Sequence, residues 1–155
     1  MEFNNLRHFR DLIRKLQRHL GGHWKSDAAC CGITAAQCHT LMEVGDKGEI
    51  SLVELASILE LDTSTLSRTV EGMVQNGLVE RRPNLDDRRY LNLTLTEQGQ
   101  NAYDNINHIF DRYYSELFKK IPAEKHDQVI ESIDLLNQAM YGLKDYKLNR
   151  EEVGQ

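Results

Sequence analysis

The sequence predicts a mainly α-helical fold that contains one small β-hairpin. Apolar residues recur at the three-to-four-residue spacing of helices along most of the chain. They change to the every-second-residue spacing of strands only between residues 78 and 95. Proline is scarce, with two residues in the chain, which favours long helices. With 155 residues, 40% of them hydrophobic, the chain has the size and composition of one domain, residues 1–155, with a packed core.

The amino-terminal segment predicts an amphipathic helix over residues 3–24. Its apolar stripe consists of Phe3, Leu6, Phe9, Ile13, Leu16 and Leu20. Gly21 and Gly22 weaken its last turn, so residues 26–33 are predicted to form a connection. Charged residues interrupt the apolar run, which argues against a signal peptide, and no segment has the roughly 20 apolar residues of a membrane span. The expected location is the cytoplasm, with no membrane partner.

Two capping boxes predict where the next two helices begin. Thr34 precedes Gln37 by three residues and is expected to cap a helix that runs to about Met42. Ser51 precedes Glu54 in the same way. A turn is expected between these helices at residues 45–48, where two glycines flank an Asp-Lys pair.

A fourth helix and a hairpin follow. Asp62 or Thr63 is expected to cap the helix, and Gly77 to end it, because glycine readily adopts the left-handed conformation at a helix end. Residues 78–82 and 90–95 are predicted to be strands, joined by a turn-rich segment at 83–87. In the second strand Leu91, Leu93 and Leu95 are expected to share one face.

Two long helices complete the chain. Thr96 is expected to cap the first, which ends at Ile121, and Pro122 to lie in the first turn of the second. Their apolar stripes contain Tyr103, Ile106, Ile109, Phe110, Tyr113, Leu117 and Phe118, and then Val129, Ile133, Leu136, Met140 and Leu143. Residues 145–155 are polar and are expected to be frayed.

The order of these elements indicates DNA binding. A helix-turn-helix motif places its second helix in the major groove, and here that helix begins with short hydroxyl side chains followed by Arg68. Hydroxyls at a helix start permit close approach to phosphates and base edges, and an arginine can bind guanine or phosphate. The alternative is that these hydroxyls only cap the helix and that the arginines of the hairpin are a solvated loop.

The charge distribution is compatible with a focused DNA site. The net charge is −5, but residues 34–61 and 97–155 each carry a net −4, whereas residues 62–96 balance five basic against five acidic residues. A local basic cluster lies in the hairpin and consists of Arg81, Arg82, Arg88 and Arg89. The acidic excess therefore lies outside the segment expected to contact DNA.

Specific motifs in residues 51–99 resemble the MarR family of winged helix-turn-helix regulators. The sequence Asp-Arg-Arg at 87–89, followed by Leu-Thr-Glu-Gln-Gly at 95–99, fits the family's D-x-R and L-T-x-x-G pattern. Residues 66–79 resemble its recognition helix and the first strand of its wing. The resemblance implies a winged helix-turn-helix core at 34–96, with dimerisation helices at 1–25 and 97–145.

The resemblance also implies roles for individual residues. The resemblance implies that five residues face the major groove, namely Thr63, Ser64, Thr65, Ser67 and Arg68. Arg89 would reach the minor groove or its phosphates, and Asp87 would orient the wing by pairing with a neighbouring arginine. Such proteins are homodimers, and two recognition helices about 34 Å apart would read a pseudo-palindromic operator on double-stranded DNA. Repression is the commoner mode in the family, so the chain is expected to be a repressor.

Three cysteines are the candidate sensor of an effector. Cys30, Cys31 and Cys38 lie within nine positions, which would suit reversible oxidation or a soft, thiophilic metal ion; a small-molecule effector is also open. The alternative is that Cys38 is a small buried residue and that Cys30 and Cys31 are incidental thiols. Their spacing matches no structural zinc pattern, so no metal site and no cofactor are predicted.

Other functional classes find less support in the sequence. We find no nucleophile elbow, phosphate-binding glycine loop or H-E-x-x-H pattern, so an enzyme is not expected. A winged-helix module that contacts proteins without binding DNA is the main alternative. The basic cluster and the hydroxyls at the start of the fourth helix favour DNA.

Overall fold

A computed structural model describes the backbone of residues 3–30, 32–84 and 91–143, and the side chains of residues 4–21, 32–84 and 91–143. The chain divides into two compact units, residues 1–110 and 111–155. Among the described residues, none of the helices combines the length and the apolar character that crossing a bilayer requires.

The observed elements are mainly helical, with a small antiparallel sheet. In chain order they are α1 (Phe3–Cys30), α2 (Ala35–Lys47), β1 (Ile50–Ser51), α3 (Leu52–Ile58), α4 (Thr63–Gln75), β2 (Val79–Pro83), β3 (Leu91–Leu95), α5 (Glu97–Phe118), a 3-10 turn (Ala123–Lys125) and α6 (His126–Tyr141). The predicted fold class is therefore confirmed.

The predicted helix caps are present. The Thr34 hydroxyl accepts the Gln37 backbone N–H at 3.2 Å, and the Gln37 side-chain carbonyl accepts the Thr34 N–H at 2.9 Å. The Ser51 hydroxyl accepts the Glu54 N–H at 3.2 Å, which is the serine half of the predicted box. Gly77 follows α4 with a φ of 68°, in the left-handed region expected of it.

Two predicted helix ends are wrong. Helix α1 continues to Cys30, so most of the segment predicted as a connection at 26–33 is helical. A helical glycine costs only about 1 kcal/mol relative to alanine, which is too little to end a helix of 28 residues. Helix α2 continues through Gly45 to Lys47, and the predicted turn begins only at Gly48, where φ is 73°.

Gly45 is a site of close packing rather than a turn. A Cβ atom built at Gly45 would lie 2.3 Å from Cδ2 of Tyr103, so only glycine lets the Tyr103 ring of α5 lie against α2. The Tyr103 hydroxyl donates to Oδ1 of the adjacent Asp46 at 2.5 Å, and this bond raises the pKa of the phenol. The contact with α5, which is distant in sequence, explains why this helical position requires a glycine.

The sheet contains one strand that the sequence did not predict. Strand order is β1-β3-β2, with Ile50 opposite Leu93 and Val79 opposite Leu95. Strand β1 has two residues, which is too short to show an alternating pattern. Pro83, predicted to begin the turn, is the last residue of β2 and lies opposite Leu91.

The core is formed by α2, α3, α4, the sheet and the first half of α5. Its fully buried side chains include Leu41, Val44, Leu55, Leu66, Val70, Met73, Leu93 and Ile106. Of the three leucines predicted to share a face of β3, Leu93 is buried, Leu95 is half-buried and Leu91 is 50% exposed. The face is thus buried at the root of the hairpin and open toward its tip.

The Leu-Thr-x-x-Gly segment joins the hairpin to α5. The Thr96 hydroxyl accepts the Gly99 N–H at 2.9 Å and donates to the Gly77 carbonyl at 2.5 Å. A Cβ atom at Gly99 would lie 1.9 Å from the Leu78 carbonyl oxygen, so only glycine fits there. These contacts hold the end of α4 and both strands against the start of α5.

The second unit contains the end of α5 and all of α6. His126 Nε2 lies 3.0 Å from the carbonyl oxygens of both Phe118 and Ile121, so its N–H caps the end of α5. Pro122 precedes a 3-10 turn, and α6 begins at His126, one turn later than the last helix was predicted to begin.

Candidate nucleic-acid interface

Asp62 organises the start of α4. Its carboxylate accepts the Thr65 backbone N–H at 2.8 Å, the Ser64 hydroxyl at 2.5 Å and the Thr65 hydroxyl at 2.7 Å. These hydrogen bonds, the Ser64 bond first, hold the pKa of Asp62 well below its usual range. The carboxylate is therefore charged at neutral pH, and it locks the conformation of two of the predicted DNA-contacting side chains.

Helix α4 presents the predicted groove residues on its outer face. Thr63, Ser64, Thr65 and Arg68 are exposed, and Ser67 is half-buried. The opposite face, which consists of Leu66, Val70 and Met73, is fully buried against the core. The amphipathic pattern therefore leaves a polar surface of hydroxyls, backbone N–H groups and one arginine.

Arg81 and Arg82 lie on opposite faces of the hairpin. Arg81 is opposite the buried Leu93, and Arg82 is opposite Asn92. Directly opposed residues of an antiparallel pair point to the same face, and neighbours along a strand point to opposite faces. Arg81 therefore points toward the helices and Arg82 away from them, so the basic cluster predicted from the sequence is divided between two surfaces.

Each of these arginines pairs with a glutamate that the sequence analysis did not single out. Arg81 Nη2 donates to Oε2 of Glu71, on α4, at 2.8 Å. Arg82 Nε donates to Oε1 of Glu80, on the same strand, at 2.9 Å. The second pair is readable from sequence, because residues two apart on a strand share a face. The first pair joins two elements and had no sequence signal.

Several predicted site residues lie outside the described residues. In the hairpin these are Asp87, Arg88 and Arg89. The side chains of Cys30 and Cys31 also lie outside the described part of the chain. Cys38, which is described, lies on α2 with no exposed surface, inside the hydrophobic core.

A groove of about 550 Å³ lies beside the turn between α3 and α4. It is lined by Ala36, His39, Ile58, Leu59, Glu60 and Leu61. Burial lowers the pKa of His39, and nearby Glu43 opposes this shift. Among the residues that the structure describes, no cluster of three His, Cys, Asp or Glu side chains is placed to hold a metal ion.

Comparison with known proteins gives a consistent result. The sequence profile of the MarR family matches residues 33–91. The HTH-type transcriptional regulator BilQ of Clostridium symbiosum is 28% identical over 68% of this chain and 73% of its own length. The multiple antibiotic resistance protein MarR of Escherichia coli is 32% identical over 60% of this chain and 65% of its own length.

Solved structures agree with the sequence matches. A MarR family protein from Bacillus stearothermophilus superposes with a TM-score of 0.82, at 20% identity, over 91% of this chain and 99% of that one. A mutant of Escherichia coli MarR, complexed with operator DNA, superposes with a TM-score of 0.70, at 27% identity, over 90% of this chain and 98% of that one. The described fold is therefore a winged helix.

Proposed function

Since this chain belongs to the MarR family of transcriptional regulators, we propose that it binds a specific site on duplex DNA through α4 and the hairpin. The observation that carries the proposal is the outer face of α4, where exposed hydroxyls and Arg68 stand on a helix whose other face is fully buried. The family comparison makes the chain a regulator and not an enzyme. For a regulator of this kind we propose a cytoplasmic location.

We assign the DNA contacts to two surfaces. Helix α4 contributes Thr63, Ser64, Thr65, Ser67 and Arg68 to the major groove. The hairpin contributes Arg82 and, beyond the described residues, Arg88 and Arg89 to the neighbouring groove and its phosphates, while Asp87 orients the wing by pairing with a neighbouring arginine. Support comes from the exposure of the described members and from the operator complex of the Escherichia coli relative. Arg81 is left out of this set, because it points toward the helices, where Glu71 of α4 holds its guanidinium.

We propose that the protein acts as a homodimer joined through helices within residues 1–25 and 97–145, with 34–96 as the DNA-reading core. Both outer helices expose large apolar side chains, namely Leu6, Phe9, Leu12 and Leu16 on α1 and Ile130, Ile133, Leu135 and Met140 on α6. Contiguous apolar surface of this kind marks an interface. Helix α1 carries six Lys and Arg residues and two acidic residues, whereas α6 carries three acidic residues and neither Lys nor Arg, so a second copy offers complementary charge.

A two-fold symmetric dimer carries two α4 helices. Their separation by about one duplex turn, roughly 34 Å, fits a pseudo-palindromic operator. We propose repression as the mode of action, which is the activity named for the MdtR repressor of Bacillus subtilis, 29% identical over 48% of this chain. Binding across a promoter would then exclude the polymerase until an effector releases the protein.

The surroundings of the candidate sensors favour some effector classes over others. Cys38 is fully buried, so oxidants and thiophilic metal ions reach it only after the core opens, which favours its packing role. Thiol sensing, if present, rests on Cys30 and Cys31. A small apolar molecule finds a groove at the turn before α4, where binding would act directly on the DNA-reading helix.

Binding of the purified protein to its own upstream DNA tests the proposal. We expect nanomolar binding that weakens steeply with salt, because each neutralised phosphate contributes about 0.9 to the slope of log K against log salt concentration. Arg68→Ala should weaken operator binding at least several-fold. Absence of DNA binding at low salt would contradict the proposal and favour a winged-helix module for protein contacts.

The same assay separates the effector hypotheses. Release by a thiol oxidant in the wild type, but not in Cys30→Ser/Cys31→Ser, would assign the sensor to these two residues. If oxidants and soft metal ions leave DNA binding unchanged, the cysteines are packing residues. The candidate effector site is then the protein groove beside the turn between α3 and α4.

A further inference from the structure

We propose that the Glu71–Arg81 ion pair sets the position of the hairpin relative to α4, so that Arg81 acts as a positioning residue and not as a DNA contact. The inference rests on the proposed function, because α4 and the hairpin are the two surfaces assigned to DNA. Arg81 Nη2 and Glu71 Oε2 lie 2.8 Å apart, and each side chain belongs to a different one of these elements.

The register of the sheet supports this role. Arg81 shares its face with Val79 and Pro83, opposite Leu95, Leu93 and Leu91, and this face looks toward the helical core. Arg82 shares the outward face with Glu80. The Arg81 guanidinium is held by Glu71 of α4. The partner of Arg82 is Glu80 of its own strand, which also accepts the Thr94 hydroxyl of the neighbouring strand β3 at 3.5 Å. Of these two ion pairs, the Arg81 pair is the one that links the hairpin to α4.

The two arginine side chains also differ in how much of their surface is exposed to solvent. The Arg81 side chain is 36% exposed and the Arg82 side chain is 62% exposed. The Arg81 side chain is thus the more covered of the two, although the residue remains exposed. A partly covered side chain with a partner on another element suits a link between the two elements, because less side-chain entropy remains to be lost.

Because Glu71 lies close to Arg68, the direction of the change in DNA affinity when Glu71 is neutralised tests the inference. Glu71 lies three residues after Arg68, so both side chains lie on neighbouring positions of the same helix face. If Glu71 only repelled phosphates, its neutralisation would strengthen DNA binding. If it positions the hairpin through Arg81, its neutralisation weakens operator binding although a negative charge has been removed.

Exchange of the two charges is the decisive experiment. The measured quantity is the ratio of affinity for the operator to affinity for unrelated DNA, since an added or removed charge changes both affinities alike. We expect Glu71→Arg and Arg81→Glu each to lower this ratio about two- to five-fold, the size expected of an exposed ion pair. The double variant should restore the ratio to within about two-fold of the wild type.

Salt dependence distinguishes positioning from direct contact. Arg81→Gln should leave the slope of log K against log salt concentration unchanged, whereas Arg68→Ala, the matched loss of a proposed contact, should reduce it by about 0.9 if Arg68 binds phosphate. Glu71→Gln keeps the side-chain size and Arg81→Gln removes the charge without reversing it, so both should show the same direction of effect if a charge reversal prevents folding.

The outcomes are distinct. If Arg68→Ala weakens binding, the proposed function stands and the inference can be judged by itself. A reduced slope in Arg81→Gln, an increased operator affinity in Glu71→Gln, or no recovery in the exchanged pair would then overturn the inference. If the wild type binds no DNA, the proposed function fails and the inference fails with it.

Discussion

At the scale of single residues, Asp62 organises the first turn of α4, the helix proposed to read DNA. One carboxylate binds a backbone N–H and two hydroxyls within the first turn of α4. The same bonds that cap the helix also hold the hydroxyl protons of Ser64 and Thr65. Both side chains therefore present oxygen lone pairs outward while the carboxylate is charged.

The lowered pKa of Asp62 predicts how stability depends on pH. The pKa in the folded state lies below the ordinary value of 3.8, so the carboxylate contributes stability that is present above about pH 4 and is lost as the pH falls further. Asp62→Asn retains a cap but not the charge. We expect its melting temperature to lie below that of the wild type at about pH 7, with the difference shrinking below about pH 4. A difference that is the same at neutral pH and near pH 3 would contradict this account.

At the scale of the elements, two helical glycines differ in what surrounds them, so that their replacement by alanine should change stability in opposite directions. A Cβ atom built at Gly21 in α1 would have no atom within 4 Å, whereas one built at Gly45 in α2 would meet the ring of Tyr103 at 2.3 Å. Helix continuity depends on neither glycine. What distinguishes them is the element packed against each helix.

This difference predicts opposite changes in the free energy of unfolding. Gly21→Ala should raise it by about 1 kcal/mol, because alanine has the better helix propensity and meets no clash. Gly45→Ala should lower it by about 1–3 kcal/mol, because the Tyr103 ring must move. Urea unfolding at a fixed protein concentration measures both. Equal stabilisation by the two alanines would show that the ring contact is not rigid.

At the scale of the whole molecule, the helices α1 and α6 expose large apolar side chains to water. Leu12 of α1 is 48% exposed, and its neighbours along the stripe are similarly exposed. The proposed DNA-reading core, by contrast, buries most of its large apolar residues. Association of two copies would remove the exposed stripe from water.

Dimerisation is testable with one residue on this stripe. Leu12→Glu keeps a good helix former in α1, and it should raise the dimer dissociation constant about ten- to a hundred-fold, because burial of a leucine is worth roughly 1.5–3 kcal/mol. Sedimentation equilibrium measures the change. Val53→Glu is the matched control, since Val53 is 67% exposed on α3, outside the proposed interface, and should leave the constant unchanged. Equal effects of the two substitutions would contradict the assignment of the interface.

Local signals in the sequence were enough to predict most of the fold. Caps at Thr34, Ser51 and Asp62, the end of α4 at Gly77 and the two hairpin strands depend on residues only a few positions apart, so their geometry is readable before any tertiary contact is known. The exposed face of α4 followed from helical periodicity for the same reason. The family motifs then identified that face as a candidate for DNA.

Tertiary structure decided the features that depend on residues distant in sequence. The two-residue strand β1 exists because Ile50 pairs with Leu93, and Gly45 remains helical beside Tyr103. The two arginines of β2 form one cluster in the sequence but occupy two faces of the sheet, and only the approach of α4 gives one of them Glu71 as a partner. The sequence specifies which side chains carry charge, whereas the packing of α4 against the sheet determines which of those charges are paired between elements.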